Sequence, residues 1–275
     1  MKQVLFFILL TVGLLQGCST YSNVVRSDDF EQKFELANSL YDRKQYAKSI
    51  TLYEQVYQRL PKTGQGELSY YRIGKSYFAE EDFYMAGYYF NSFPEKFPTS
   101  IKCEETMFLS ALCAVKNSPS WSLDQNETEL ALNDLQMFIN RYPSSPLIDT
   151  CNTIMDNLRS KLEKKEFESV KLYSNLENGC GGQSCYKAAA MSAETFLKNF
   201  PKSVYREEVH AILVRSSYFL TINSVETKKI ERIEKSMERY RTFVTEFPQT
   251  SFRKEMDSYN ERMERELNIL TNTQK

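Results

Sequence analysis

One short pattern constrains this chain more than any other: an apolar residue, a proline, any residue, then serine or threonine. It recurs as "RLPKT" at 59–63, "KFPTS" at 96–100, "RYPSS" at 141–145, "NFPKS" at 199–203 and "EFPQT" at 246–250. The prolines at 61, 98, 143, 201 and 248 are 37, 45, 58 and 47 residues apart. Proline cannot continue a helix, and it drives the residue before it out of the α region. The Ser or Thr two places on has an oxygen able to cap the next helix. Acids follow in what would be the first turn, where they oppose the helix dipole: Glu104, Asp149 and Glu207. Pro146, after Ser145, suits a first helical position. Each copy predicts a helix end, a tight turn and a helix start.

Upstream of each proline lies an amphipathic run. In Tyr70 to Pro98, the residues Ile73, Gly74 and Tyr77 share one face of a first helix. "AEED" is a polar break, and Phe83, Ala86, Phe90 and Phe93 form the face of a second helix. Small Gly74 and Ala86 let the two approach closely. The pattern resembles a tetratricopeptide repeat. Counting back from Pro61 gives the same layout with Leu36, Ala37, Leu40, Tyr46, Ser49, Tyr53 and Val56. Later copies are looser. The third has a first helix near Ile101 to Lys116, an insertion, then Ala131, Leu135 and Phe138. The fourth has a charged helix from about Leu147 to Leu176, a loop "ENGCGGQSC", then Ala189, Ala193 and Phe196. The fifth keeps Ser236, Tyr240 and Phe243 behind an insertion at Thr221 to Lys229, and a closing helix runs from about Phe252 to Leu270. The expected fold is all-α, a right-handed superhelical solenoid of about five TPR-like helical hairpins.

The amino terminus predicts a compartment. Lys2 precedes an apolar run, Val4 to Leu15, too short to span a bilayer and suited to a signal peptide. Leu15, Gln16, Gly17 and Cys18 resemble a bacterial lipobox, which implies acylation of Cys18; the other reading is an ordinary secretory signal with an incidental cysteine. Ser19 is not the aspartate that retains many lipoproteins in the inner membrane, so the resemblance implies an outer-membrane anchor facing the periplasm. The expected organisation is 1–17 signal peptide, 18–27 lipid anchor and tether, 28–145 amino-terminal repeats, and 146–275 carboxy-terminal repeats with the closing helix.

Little in the chain points to catalysis. His210 is the sole histidine, and a lone helical histidine usually packs. There is no GxSxG, P-loop, GxGxxG or His-rich metal motif, so no enzyme, cofactor or metal site is expected. With 35 basic and 36 acidic residues, no net charge argues for nucleic acid. Besides Cys18 there are Cys103, Cys113, Cys151, Cys180 and Cys185, with no CxxC spacing. Cys180 and Cys185 bracket "GGQS", leaving a local disulfide or two free thiols open. Cys103, Cys113 and Cys151 are expected as small buried hydrophobes.

What remains is surface. Stacked hairpins make a groove lined by first helices. Phe34, Asn38, Tyr41, Tyr71, Lys75 and Phe78 are expected to face it; the alternative is that the aromatics pack against neighbouring helices. Lys75 suits a peptide carboxylate. The lipobox, the repeats and above all "NFPKSVYREEVHAILVRSSYFLT" with "EFPQTSFRKE" resemble the BamD family of outer-membrane lipoproteins. That resemblance implies a partner of the β-barrel assembly machinery. Its amino-terminal repeats would receive unfolded outer-membrane β-barrel proteins, and its carboxy-terminal repeats would dock on a POTRA domain of BamA. Arg262 and Arg265 become partner-binding candidates, against a reading as ordinary solvated helix charge. Pilotin-like lipoproteins, adaptors for other envelope complexes, combine the same features.

Overall fold

The structure is a computed structural model that describes residues 21–180 and 183–273. The described residues are helical, with no strand among them. After a short helical segment at 21–26, three hairpins follow: α1 (Phe30–Asp42) with α2 (Tyr46–Arg59), α3 (Gly64–Ala79) with α4 (Phe83–Lys96), and α5 (Cys103–Asn117) with α6 (Asn126–Arg141). Then come α7 (Ile148–Cys180), α8 (Gln183–Asn199), α9 (Arg206–Ile222), α10 (Glu226–Glu246) and the closing α11 (Arg253–Thr273).

The proline punctuation organises the packing. Twelve residues before each proline stand Ser49, Ala86, Ala131, Ala189 and Ser236, all fully buried. A side chain this small lets one helix lie close against the next. Five residues before each proline stand Val56, Phe93, Phe138, Phe196 and Phe243, again fully buried. Their carbonyls accept from the N–H of the residue preceding each proline at 2.8–2.9 Å, closing the last helical turn. The N–H of the following Ser or Thr then returns to that preceding residue's carbonyl at 3.0–3.2 Å. Five turns therefore share one backbone.

The Ser and Thr side chains play two roles rather than the single capping role expected. Thr63 caps α3, its Oγ1 accepting from the Gly66 N–H at 3.1 Å. At the other four turns the helix begins two residues later. Ser100, Ser145, Ser203 and Thr250 accept instead from the N–H two residues on, at 3.1, 3.2, 2.9 and 3.2 Å. Their own carbonyls accept from Cys103, Ile148, Arg206 and Arg253. The hydroxyl thus stabilises the turn, in the local competition with helix typical of these side chains. Pro146 accordingly lies in the turn before α7, not at its first residue.

Two other expectations shift. The loop between α7 and α8 is shorter than the sequence indicates, since α7 continues to Cys180 and α8 starts at Gln183. The insertion at Thr221 to Lys229 is mostly helix, with only residues 223–225 between α9 and α10. Helix continues there because each added residue makes another backbone bond. Within α3, Gly74 is buried, and a Cβ on it would lie 2.8 Å from the Phe90 ring. Both intra-hairpin turns α1–α2 and α3–α4 use a left-handed residue, Lys44 (φ 59°) and Glu81 (φ 61°). Their successors' N–H groups reach Leu40 and Tyr77 carbonyls at 2.9 and 3.0 Å, the bond that stops each first helix.

The chain forms two compact units, dividing at Leu158 and Arg159 within α7. The first holds three apolar clusters, centred on Ala37 and Tyr53, on Ala86 and Phe90, and on Leu135, Phe138 and Met155. The second holds three more, centred on Phe196 and Val209, on Phe243 and Met256, and on Ile233 and Met263. Among the described residues no helix is long and apolar enough to cross a membrane.

Candidate functional site

The first helices of the amino-terminal unit bring most of the candidate groove residues into two small polar knots. On α1, Asn38 and Tyr41 meet Arg72 of α3. Asn38 Oδ1 accepts from Tyr53 Oη at 2.8 Å and from Arg72 Nη1 at 2.6 Å. The Arg72 guanidinium sits 4.8 Å over the Tyr41 ring and also donates to Tyr53 Oη at 3.0 Å. Burial pushes the Tyr53 phenol up to about 12, and that of Tyr41 upward too, with Arg72 opposing both. These phenols therefore stay neutral hydrogen-bonding groups.

In the second knot Tyr71 donates to Glu105 Oε1 at 2.6 Å, and Lys75 Nζ lies 3.3 Å from the same oxygen. Lys75 and Lys102 also lie over the Tyr71 ring, at 5.8 and 5.5 Å. Burial first, and the Glu105 hydrogen bond second, raise the Tyr71 phenol. Phe34 and Phe78 are placed otherwise. Phe34 is half-buried edge-on to Tyr53, with ring centroids 6.4 Å apart. Phe78 packs on Phe83 and Phe90 in the cluster of the second hairpin. Arg72 and Glu105 belong to this surface and were not singled out from sequence. Their signal is spacing: each bonds a partner 34 residues away, one repeat on.

In the carboxy-terminal unit Arg262 is exposed, its Nη1 3.4 Å from the Tyr218 hydroxyl. Arg265, one turn on, is exposed and donates to the Glu261 carbonyl of its own helix at 3.3 Å. Cys103, Cys113 and Cys151 are free thiols. Cys113 is buried, and burial alone pushes its thiol up to about 12. Cys185 is disulfide-bonded. The side chain of Cys180 and all of Cys18 lie outside the described residues.

His210 packs between rings rather than in a cleft. Its centroid lies 6.3 Å from that of Phe243 and 5.7 Å from that of Phe247. Its Nε2 faces Glu246 at 3.3 Å and Arg206 at 3.5 Å. Burial lowers its pKa below the ordinary 6.5; Glu246 opposes that shift and Arg206 adds to it. The unfolded chain therefore takes up the proton first as pH falls. The stability contribution is fully present above about pH 6.5 and is lost as pH falls through the lower folded value. In urea titrations from about pH 7 to about pH 5, His210→Gln should flatten the loss of stability. Equal slopes in the two proteins would rule this out. Among the described residues no group of three or more His, Cys, Asp or Glu side chains could hold a metal ion.

No curated protein sequence matches the chain. Among solved structures, similarity extends to TTC0263, a thermophilic TPR protein of Thermus thermophilus, with 12% identity over 84% of this chain and 98% of that one, at a TM-score of 0.30. It extends also to the TPR2AB-domain:pHSP90 complex of yeast Sti1, with 12% identity over 86% of this chain and 98% of that one, at a TM-score of 0.40. Residues 26–179, more than half of the chain, match the model of the family YfiO, described as "Outer membrane lipoprotein". On that match, spanning the first three hairpins and nearly all of α7, the chain belongs to the YfiO family of outer membrane lipoproteins.

Proposed function

We propose that the protein is a non-catalytic scaffold of the β-barrel assembly machinery, anchored in the outer membrane through acylated Cys18 and facing the periplasm. Its carboxy-terminal repeats dock on a POTRA domain of BamA, with Arg262 and Arg265 as contacts. Its amino-terminal repeats receive unfolded outer-membrane β-barrel proteins. The observation that carries this reading is the family match over residues 26–179. A stack of helical hairpins supports it, because such stacks present extended surfaces to peptides.

The mechanism is to bind, hold and present. Lys75 and the Tyr71 hydroxyl converge on the Glu105 carboxylate, so the site already cradles one carboxylate of its own. A substrate's terminal carboxylate takes the place of Glu105 between these donors, and exposed ring surface holds the neighbouring apolar side chains. Competition with Glu105 makes a signed prediction. Glu105→Gln should tighten binding of a barrel carboxy-terminal peptide roughly two- to fivefold, the scale of a half-exposed ion pair, and Lys75→Glu should weaken it. Anisotropy titration of a labelled peptide reads both; unchanged affinity in both variants removes this pair from the site.

Depletion tests the wider reading. A broad loss of outer-membrane β-barrels, with BamA co-purifying with the protein, is the expected result. Loss confined to pili, with no BamA retained, would assign the protein to the pilotin-like adaptors instead.

A further inference from the structure

Two pairs of successive second helices, α2 with α4 and α8 with α10, are tied across the groove between them at the same repeat position. Count back from Pro98 and from Pro248: nine residues before each stands a side chain that reaches one standing seven residues before the previous proline. From α4 to α2 this is Tyr89 donating to Glu54 Oε1 at 3.2 Å. In the carboxy-terminal unit, from α10 to α8, it is Arg239 donating to Glu194, with Lys235 adding a second cation at 3.7 Å.

Between α4 and α6 the tie is missing. The equivalent residues are Asp134 and Asn91, and neither side chain has a hydrogen-bond or ion-pair partner among the described residues. The groove there, floored by α5, opens as a hollow of about 320 Å³ that continues into a second of about 150 Å³. Asp134, Asn91 and Ser110 line both. No lysine or arginine lines either, and Glu127 adds another acid. Asp134 is half-buried, and burial is the sole cause raising its pKa, with no cation nearby to offset it. Around it the walls are apolar and open to solvent: Tyr84 is 66% exposed, Tyr88 62%, Leu130 54% and Met137 50%.

We propose that the α4–α5–α6 groove docks a partner-protein segment that places one lysine or arginine on Asp134 and apolar side chains against Tyr84, Tyr88, Leu130 and Met137. The incoming cation supplies from outside what Arg239 supplies internally in the other unit. A carboxylate removed from water without a counter-charge is costly, and this one lies where the α2–α4 and α8–α10 pairs place a bonded pair. The groove has second helices for walls and α5 for a floor and does not use Tyr71, Lys75 or Glu105, so it stands independently of the barrel-assembly reading.

The test uses the full lipidated chain in detergent and the labelled, end-capped peptide acetyl-Ser-Leu-Phe-Arg-Leu-Tyr-Ser-amide. Twins carry Glu or norleucine in place of Arg. Capping removes the terminal carboxylate that Lys75 would bind. The Arg peptide should bind more tightly than either twin. Asp134→Asn should weaken it at least about tenfold, as expected when a partly buried charge pair loses one member, while leaving Tm unchanged or raised. The double variant Asp134→Arg with Asn91→Glu rebuilds the tie of the other unit and should abolish binding with no loss of Tm. Equal affinity for the Arg and Glu peptides would overturn the proposal. So would unchanged affinity in Asp134→Asn, or a fall in its Tm, which would show that Asp134 supports the fold.

Discussion

Alanine at Phe196 is expected to destabilise the carboxy-terminal unit by about 3–5 kcal/mol. The side chain is fully buried five residues before Pro201, where α7, α8 and α9 meet. Its ring lies 6.3 Å from Phe167 and 5.1 Å from Phe200, between centroids. Truncation loses the transfer energy of the ring and leaves a cavity. The walls include backbone fixed by the turn, because the Phe196 carbonyl accepts from the Phe200 N–H at 2.8 Å. The neighbours therefore cannot simply collapse inward. The sole tryptophan, Trp121, lies in the other unit, so fluorescence is a poor readout. Hydrogen exchange read by mass spectrometry should show lost protection concentrated in α8 and α9, the nearest-neighbour behaviour of repeat proteins. A loss below about 1 kcal/mol would mean that this position is not the packing keystone its recurrence implies.

Gly66→Ala should cost roughly 1–3 kcal/mol although alanine is the better helix former. Gly66 lies within the first turn of α3, and its N–H is the one that Thr63 caps. A Cβ there would stand 2.0 Å from the Leu60 carbonyl oxygen, 2.9 Å from the Leu60 carbonyl carbon and 3.2 Å from that of Pro61. All three are backbone atoms of the first proline turn, so no rotamer change relieves the clash. Propensity favours alanine by about 1 kcal/mol, and the steric term outweighs it. Gly64, two residues earlier, has nothing within 4 Å of its Cβ position, so Gly64→Ala should be neutral or slightly stabilising. Thermal unfolding of the pair decides the matter. Equal Tm values would show that the turn yields freely.

The contrast between these glycines shows what could be read in advance. Proline positions, small residues such as Ala86 and Ala131, and phenylalanines such as Phe138 were legible because helix period and proline chemistry act locally. The two glycines look alike in sequence; only the path of the preceding turn separates them. The same limit hid the roles of Ser100 and Ser203, since capping or turn formation depends on where the helix starts, and that differs by two residues among the copies. It also hid Arg72, Glu105 and the tie from Arg239 to Glu194, whose partners lie 34 to 45 residues away. Opposite charges one repeat apart are a usable signal, but the uneven repeat length between Pro98 and Pro248 blurs it. The candidate groove residues take different surroundings for a related reason. Tyr71 and Lys75 share a carboxylate, whereas Phe78, on the same helix, turns to the neighbouring core.

The three free thiols carry a consequence for how the protein matures. On the periplasmic reading proposed above, the chain enters an oxidising compartment before it has folded, with its thiols accessible. Folding then hides Cys113 and Cys151, and burial suppresses the thiolates that oxidation requires. On that reading maturation sets packing of the middle hairpins against cross-linking of the exposed thiols. A chain that folds slowly would be caught in the wrong covalent form. On that reading, the speed of collapse around α5, α6 and the start of α7 bears on the covalent state of these thiols separately from final stability.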